Sequence, residues 1–212
     1  MTATPSHTIV CYGDSITWGY DPATGTRLPK PLRWTSVLQR ALGETCEIVA
    51  EGLVNRTTNL DDPVCPDRNG LKQLAPILDS HKPVSAVILM LGTNDLKARF
   101  NRSATDIAES AARVAGVARN VISGSSGQMG KVFLVAPPPV LETGVYREMY
   151  VGGAAKSREL GPLYERYAAW VGAIPFDAGT VSSPSEADGV HPDAASHQSL
   201  GEALAALVRS AA

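Results

Sequence analysis

The side chains that acyl transfer requires occur at three separated points of this 212-residue chain: Ser15 behind Gly13-Asp14, Asn94 behind Gly92-Thr93, and Asp188 three residues before His191. A serine hydroxyl is a weak nucleophile until an imidazole takes its proton, and that imidazole needs a carboxylate to fix its tautomer through the other ring nitrogen. Asp188-Gly189-Val190-His191 can supply such a pair from one turn. A primary amide such as that of Asn94 can donate to the oxyanion that develops on an attacked carbonyl. Of the four histidines, His7 lies near the start of the chain, His81 closes a helical pattern and His197 falls inside one, which leaves His191 as the candidate base. Each piece alone has a plainer use. A serine after a strand caps helices, Asp-x-x-His can be a solvated turn, and Gly-Thr-Asn-Asp can be an Asx turn. The reading depends on their meeting.

Short apolar runs at His7 to Tyr12, Cys46 to Ala50, Ser85 to Leu91, Lys131 to Ala136 and Ile174 to Asp177 lack polar alternation, which predicts parallel strands covered on both faces. Helical patterns lie between them at Trp34 to Leu42, Leu71 to Ser80, Ser103 to Ser123 and Ala155 to Val171, and a last one covers Ala194 to Ser210. The third of these has Ile107, Ala111, Val114, Ala115, Ala118, Val121 and Ile122 on one face, with Ser103 and Asp106 spaced as a capping pair. Ser123 to Gly130 (SGSSGQMG) reads as a flexible connection. Strands alternating with helices predict an α/β fold, a doubly wound three-layer αβα sandwich whose ligand site lies beyond the carboxyl ends of the strands. Ser15, Asn94 and the Asp188–His191 turn all follow predicted strands. Neither a repeat nor a linker interrupts the chain, so residues 1–212 are expected to form one domain.

Composition narrows the function classes. A hydrophobic content of 44% with 19% charged residues is that of an ordinary globular protein. The formal net charge of -2 leaves no basic footprint for nucleic acid. Met1 to His7 has neither a positive nor an apolar signal region, and no stretch is apolar for long enough to span a bilayer, so a soluble, cytoplasmic protein without membrane contact is expected. The three cysteines suggest neither a disulfide framework nor a zinc site; Cys11 and Cys46 read as small core residues and Cys65 as part of a polar loop. The proposed chemistry needs no metal and no cofactor. Two other classes compete: a metal-dependent hydrolase using Asp14, Asp61, Asp62, Asp188 and His191, and a flavodoxin-like binding module with no reaction at Ser15. Asp14 reads as a structural residue that holds the nucleophile loop through backbone hydrogen bonds.

Four blocks in order, Gly-Asp-Ser at 13–15, Gly52 to Asn55, Gly-Thr-Asn-Asp at 92–95 and Asp-Gly-Val-His at 188–191, resemble the GDSL esterases, or SGNH hydrolases, over nearly the whole chain. The resemblance implies a five-stranded parallel sheet in the flavodoxin-like order 2-1-3-4-5. It further implies Ser15 as nucleophile and an oxyanion hole made by the backbone amides of Ser15 and Asn55 and the side chain of Asn94. Thr17-Trp18-Gly19, Glu51-Gly52-Leu53, Arg56-Thr57-Thr58-Asn59, Asp61-Asp62-Pro63 and Phe176-Asp177-Ala178-Gly179 are similar to the mycobacterial arylesterase and acyltransferase branch, which also performs perhydrolysis and tends to form closed homo-oligomers, commonly octamers. The chain departs from the common pattern at Asn55, where many members have glycine, and at Ile16, where leucine is usual. Asparagine keeps the backbone N–H and tolerates left-handed backbone better than most residues.

These readings give a serine esterase for short-chain carboxylic esters (aryl, alkyl or acetylated sugar), with transfer of the acyl group to water, an alcohol or peroxide. Thioesterase and lysophospholipase activities of the same family stay open. Trp18 and Tyr20, with Phe100, are candidates to wall an apolar substrate pocket. The irregular segments Asp21 to Arg33 and Val140 to Gly153 are candidates for lids or subunit contacts.

Overall fold

Valine, isoleucine and leucine fill both faces of the central strands, and this decides the architecture. In the computed structural model, which describes residues 7–123 and 130–211, β1 (His7–Gly13), β2 (Cys46–Gly52), β3 (Ala86–Met90), β4 (Lys131–Ala136) and β5 (Ile174–Asp177) form one parallel sheet in the order β2-β1-β3-β4-β5. All five residues of β3 are buried, as a central strand with helices on both sides requires. Side chains alternate between two cores: Val10, Tyr12, Val87 and Leu89 point to one, Ile9, Cys11, Ile88 and Met90 to the other.

Helices α3 (Gly70–Ser80), α4 (Ala104–Ile122) and α5 (Gly153–Val171) cover the first core through Leu74, Ile107 and Leu160. The second is covered by the short α1 (Ser15–Trp18), α2 (Trp34–Leu42) and α6 (Ala194–Ser210) through Ile16, Trp34 and Leu200. Helix α4 starts with the expected capping box, Ser103 and Asp106 each bonding the other's backbone N–H. Helix α2 starts differently. Arg33 offers it no side-chain cap, and the free Trp34 N–H instead donates to Nδ1 of His197 at 3.2 Å. His197 is fully buried in α6, and burial lowers its pKa from 6.5 to about 4, so at neutral pH the ring is a neutral acceptor.

The expected strands and helices are present, with shifted ends. β2 runs two residues past Ala50 because Glu51 and Gly52 still pair with Tyr12 and Gly13. The carboxylate of Glu51, which looks like a strand breaker in sequence, meets His81 Nε2 at 2.8 Å at the end of α3. β3 stops one residue short at each end, and α1, four residues with no room for a helical period, was not expected. Cys11 is fully buried, but Cys46 opens the edge strand and is only partly covered. Met1 to Ser6 and the interior of the Ser123 to Gly130 connection lie outside the described residues. Among the described residues no helix is long and apolar enough to cross a membrane.

Candidate active site

Strand β1 ends at Gly13, and the next residue turns the chain into α1. Asp14 caps that helix, its Oδ1 accepting from Ile16 N–H at 2.9 Å, so the capping task that could have occupied Ser15 belongs to its neighbour. Ser15 therefore stands at the first position of α1, at the carboxyl end of a central strand. Helix α1 lies directly against the end of β2: a Cβ on Gly52 would run into the backbone nitrogen of Trp18. Only glycine allows that approach.

The chain after β5 brings His191 to Ser15. His191 Nε2 lies 2.8 Å from Ser15 Oγ, and His191 Nδ1 lies 2.7 Å from Asp188 Oδ2. Asp188 Oδ1 accepts the backbone N–H groups of Val190 and His191, each at 2.9 Å. The turn is closed by Gly189 (φ 76°), where a Cβ would meet the carbonyl oxygens of Thr143 and Leu141 at 2.6 and 2.8 Å. Serine, imidazole and carboxylate are all buried. Burial pushes the Asp188 carboxyl up, but the His191 ring and the two backbone donors outweigh it and hold the group below the ordinary aspartate value. An ionised carboxylate on Nδ1 leaves Nε2 facing the serine hydroxyl, the arrangement that can accept its proton.

Two tyrosines flank the His191 ring. The Tyr20 ring stacks on the His191 ring with centroids 4.1 Å apart and planes inclined by 30°, and Tyr146 meets it edge-on at 6.0 Å. Their hydroxyls share a hydrogen bond of 2.9 Å. Trp18 is half-buried, 6.4 Å from Tyr20, with the Arg27 guanidinium 4.9 Å above its ring. Phe100 faces Arg99 at 5.1 Å.

The third part of the site is built from the loops after β2 and β3. Asn94 Nδ2 donates to the Arg56 carbonyl at 3.0 Å, which leaves the second N–H of that nitrogen for another acceptor. Next to it, Asp95 accepts from Thr58 N–H at 3.0 Å and from the Thr58 hydroxyl at 2.5 Å. Burial raises Asp95 to about 6 against the pull of those two bonds. Lys97 Nζ reaches Asn55 Oδ1 at 2.8 Å. Arg56 completes the join, donating to the carbonyls of Gly13 and Glu51 at 2.7 and 2.5 Å while its guanidinium lies 4.1 Å over Tyr12. Asn55 has φ 68°, the left-handed conformation that asparagine adopts at lower energy than bulkier residues.

Ser15, Asp188 and His191 thus meet, and Asn55 and Asn94 come from loops tied to the end of β1. Tyr20 lies against the His191 ring, a contact not expected of it as a pocket wall. Tyr146, Arg56, Asp95 and Lys97 were not singled out in the sequence. Tyr146 falls in the irregular Val140 to Gly153 stretch, Arg56 and Asp95 stand within motif blocks whose neighbours drew attention, and Lys97 lies just past the block at 92–95. The carboxylates of the metal reading do not converge: Asp61 bonds Lys72 at 2.7 Å and Asp62 bonds Arg99 at 2.5 Å, and among the described residues no three His, Cys, Asp or Glu side chains come together as a metal site would need.

The chain resembles proteins of known family and structure over almost its whole length. The GDSL-like lipase/acylhydrolase family profile matches residues 11–199. The native aryl esterase of M. smegmatis is 39% identical, with 96% of this chain and 99% of that one covered and a TM-score of 0.90. Est24, a carbohydrate acetylesterase from Sinorhizobium meliloti, is 37% identical, with 97% and 100% covered and a TM-score of 0.91. A member of the lipolytic G-D-S-L family from Veillonella parvula, 19% identical with 96% and 98% covered and a TM-score of 0.68, shares the fold. A sequence comparison with curated proteins found no match. With a profile match from β1 into α6 and two esterase structures aligned almost end to end, the chain belongs to the GDSL-like lipase/acylhydrolase family and is a carboxylic ester hydrolase.

Proposed function

We propose that Ser15 is the nucleophile of this hydrolase, His191 its general base and Asp188 the residue that orients the base. His191 Nε2 takes the Ser15 proton as Oγ bonds to the ester carbonyl carbon, and the carbonyl π electrons move onto oxygen. The N–H groups of Ser15 and Asn55 and the Asn94 amide bind that oxyanion. When the intermediate collapses, the alkoxide or phenoxide leaves with the proton from His191, and the acyl group stays on Ser15. Water then attacks by the same steps in reverse and releases the acid. The observation that carries this reading is the unbroken relay of 2.8 and 2.7 Å from Ser15 through His191 to Asp188.

Short aryl and acetylated-sugar esters are the substrates favoured, on the strength of the aryl esterase and carbohydrate acetylesterase relatives. Trp18 and Tyr20 would line their path, since Tyr20 lies against the base. An alcohol or peroxide replaces water in part of the turnovers, giving ester or peracid. A closed homo-oligomer, octameric by the resemblance, is supported by the exposed Val145, Met149 and Val151 in the loop that carries Tyr146.

Ser15→Ala tests the core of the proposal. It should lower kcat by roughly 10⁴ to 10⁶ on p-nitrophenyl acetate, in line with losses on removing a triad nucleophile; activity within tenfold of wild type overturns it. Vinyl acetate with a primary alcohol in water tests transfer: acetate alone, with no new ester, removes that half.

A further inference from the structure

Lys97 is 4% exposed, and the acceptor of its ammonium is a neutral carboxamide oxygen, Asn55 Oδ1 at 2.8 Å. A buried ammonium is costly unless it is paired, and a carboxylate would be its ordinary structural partner. The nearby carboxylate, Asp62, is bound to Arg99 at 2.5 Å. Burial, aided by Arg99, lowers Lys97 to about 8, which leaves it mostly protonated at neutral pH. Among the described residues its hydrogen bond thus goes to one side chain, that of Asn55, whose Nδ2 also donates to Cys65 Sγ at 3.4 Å. Both ends of the carboxamide are held, at a residue whose backbone is left-handed with φ 68°.

We propose that Lys97 is a positioning residue of the oxyanion hole: through the Asn55 side chain it holds residue 55 in the left-handed conformation that presents its N–H to the reacting carbonyl oxygen. The inference rests on the reading in which Asn55 N–H binds the oxyanion. Glycine enters this conformation unaided. An asparagine there needs an anchor to keep one backbone orientation, and Lys97 supplies it from the turn that also carries Asn94.

The test is a double-mutant cycle in kcat and KM on p-nitrophenyl acetate with wild type, Lys97→Met, Asn55→Gly and the pair. Lys97→Met should lower kcat about tenfold or more with KM changed less than twofold, because a misplaced oxyanion donor is felt in the transition state. In the Asn55→Gly background the same Lys97→Met step should change kcat less than twofold. An equal loss in both backgrounds overturns the proposal, since Lys97 would then act by through-space charge or general packing, and so does no loss in the wild-type background. Should Lys97→Met not fold, Lys97→Gln enters the same cycle with the same criteria. A fully active Ser15→Ala would remove the underlying reading; an inactive Ser15→Ala beside a neutral Lys97→Met removes only the role of Lys97.

Discussion

On the His191 side of Ser15 the hydrogen bonding is local: Asp188 and His191 share one turn and the carboxylate accepts that turn's own N–H groups, while Tyr20 and Tyr146 reach the ring from remote segments. On the proposed oxyanion side it is distributed. Asn94, Asp95 and Lys97 each bond a different residue of the loop after β2, and Arg56 ties that loop to β1. A base must keep one ring orientation, which a carboxylate in the same turn can impose within a few residues. An oxyanion hole must aim donors from separate strands at one point, so its supports have to cross between loops.

Substitutions on the two sides should separate these modes. The largest effect is expected for Asp188→Asn, which leaves the turn's acceptor at Oδ1 but disrupts the carboxylate bond to Nδ1; kcat should fall by about 10⁴, as when a triad aspartate loses its charge, and a loss under 100-fold would break the assignment of the base side. Asn94→Ala comes next. It removes a proposed donor and the bond to Arg56 together, and kcat should fall roughly 10² to 10³ with KM little changed; a rise in KM alone would move Asn94 from the oxyanion to ground-state binding. Tyr146→Phe keeps the ring against His191 and removes the hydroxyl bonded to Tyr20. Its effect on kcat should be about threefold or less, since stacking and the Asp188 bond remain, and a loss above 30-fold would show that the base side also depends on a remote support.

The fold was legible because the strands are continuous apolar runs and the longer helices have clear faces. Ser15 and Asn94 stand out because each lies just past a strand end, and Asp188 with His191 because of their spacing in one turn, well beyond the end of β5. What escaped reading depends on contacts between distant segments. Tyr146 reaches His191 from a stretch with no periodicity, and Lys97 has the composition of a surface residue although it is buried against Asn55. Helix α1 is too short to show a pattern. The carboxyl end of β2 runs further than expected for a related reason: Glu51 is polar, yet its backbone still pairs while its carboxylate finds His81.

The neutral ring of His197 at the start of α2 makes the molecule's acid response a balance of opposing proton equilibria. Its pKa is about 4 folded against 6.5 free, so unfolding takes up a proton in that window, and acidification from pH 6.5 to 4 removes about 3 kcal/mol of stability. Asp95 works the other way. It is raised from 3.8 to about 6, so unfolding releases a proton between those values, and the same acidification returns about 3 kcal/mol. The two offset each other through most of the interval. In urea melts at pH 7 and pH 4.5, His197→Asn, which keeps a neutral acceptor, should therefore gain on the wild type by about 2 to 3 kcal/mol at the lower pH, and an unchanged gap would mean that the buried imidazole is not the group taking up that proton.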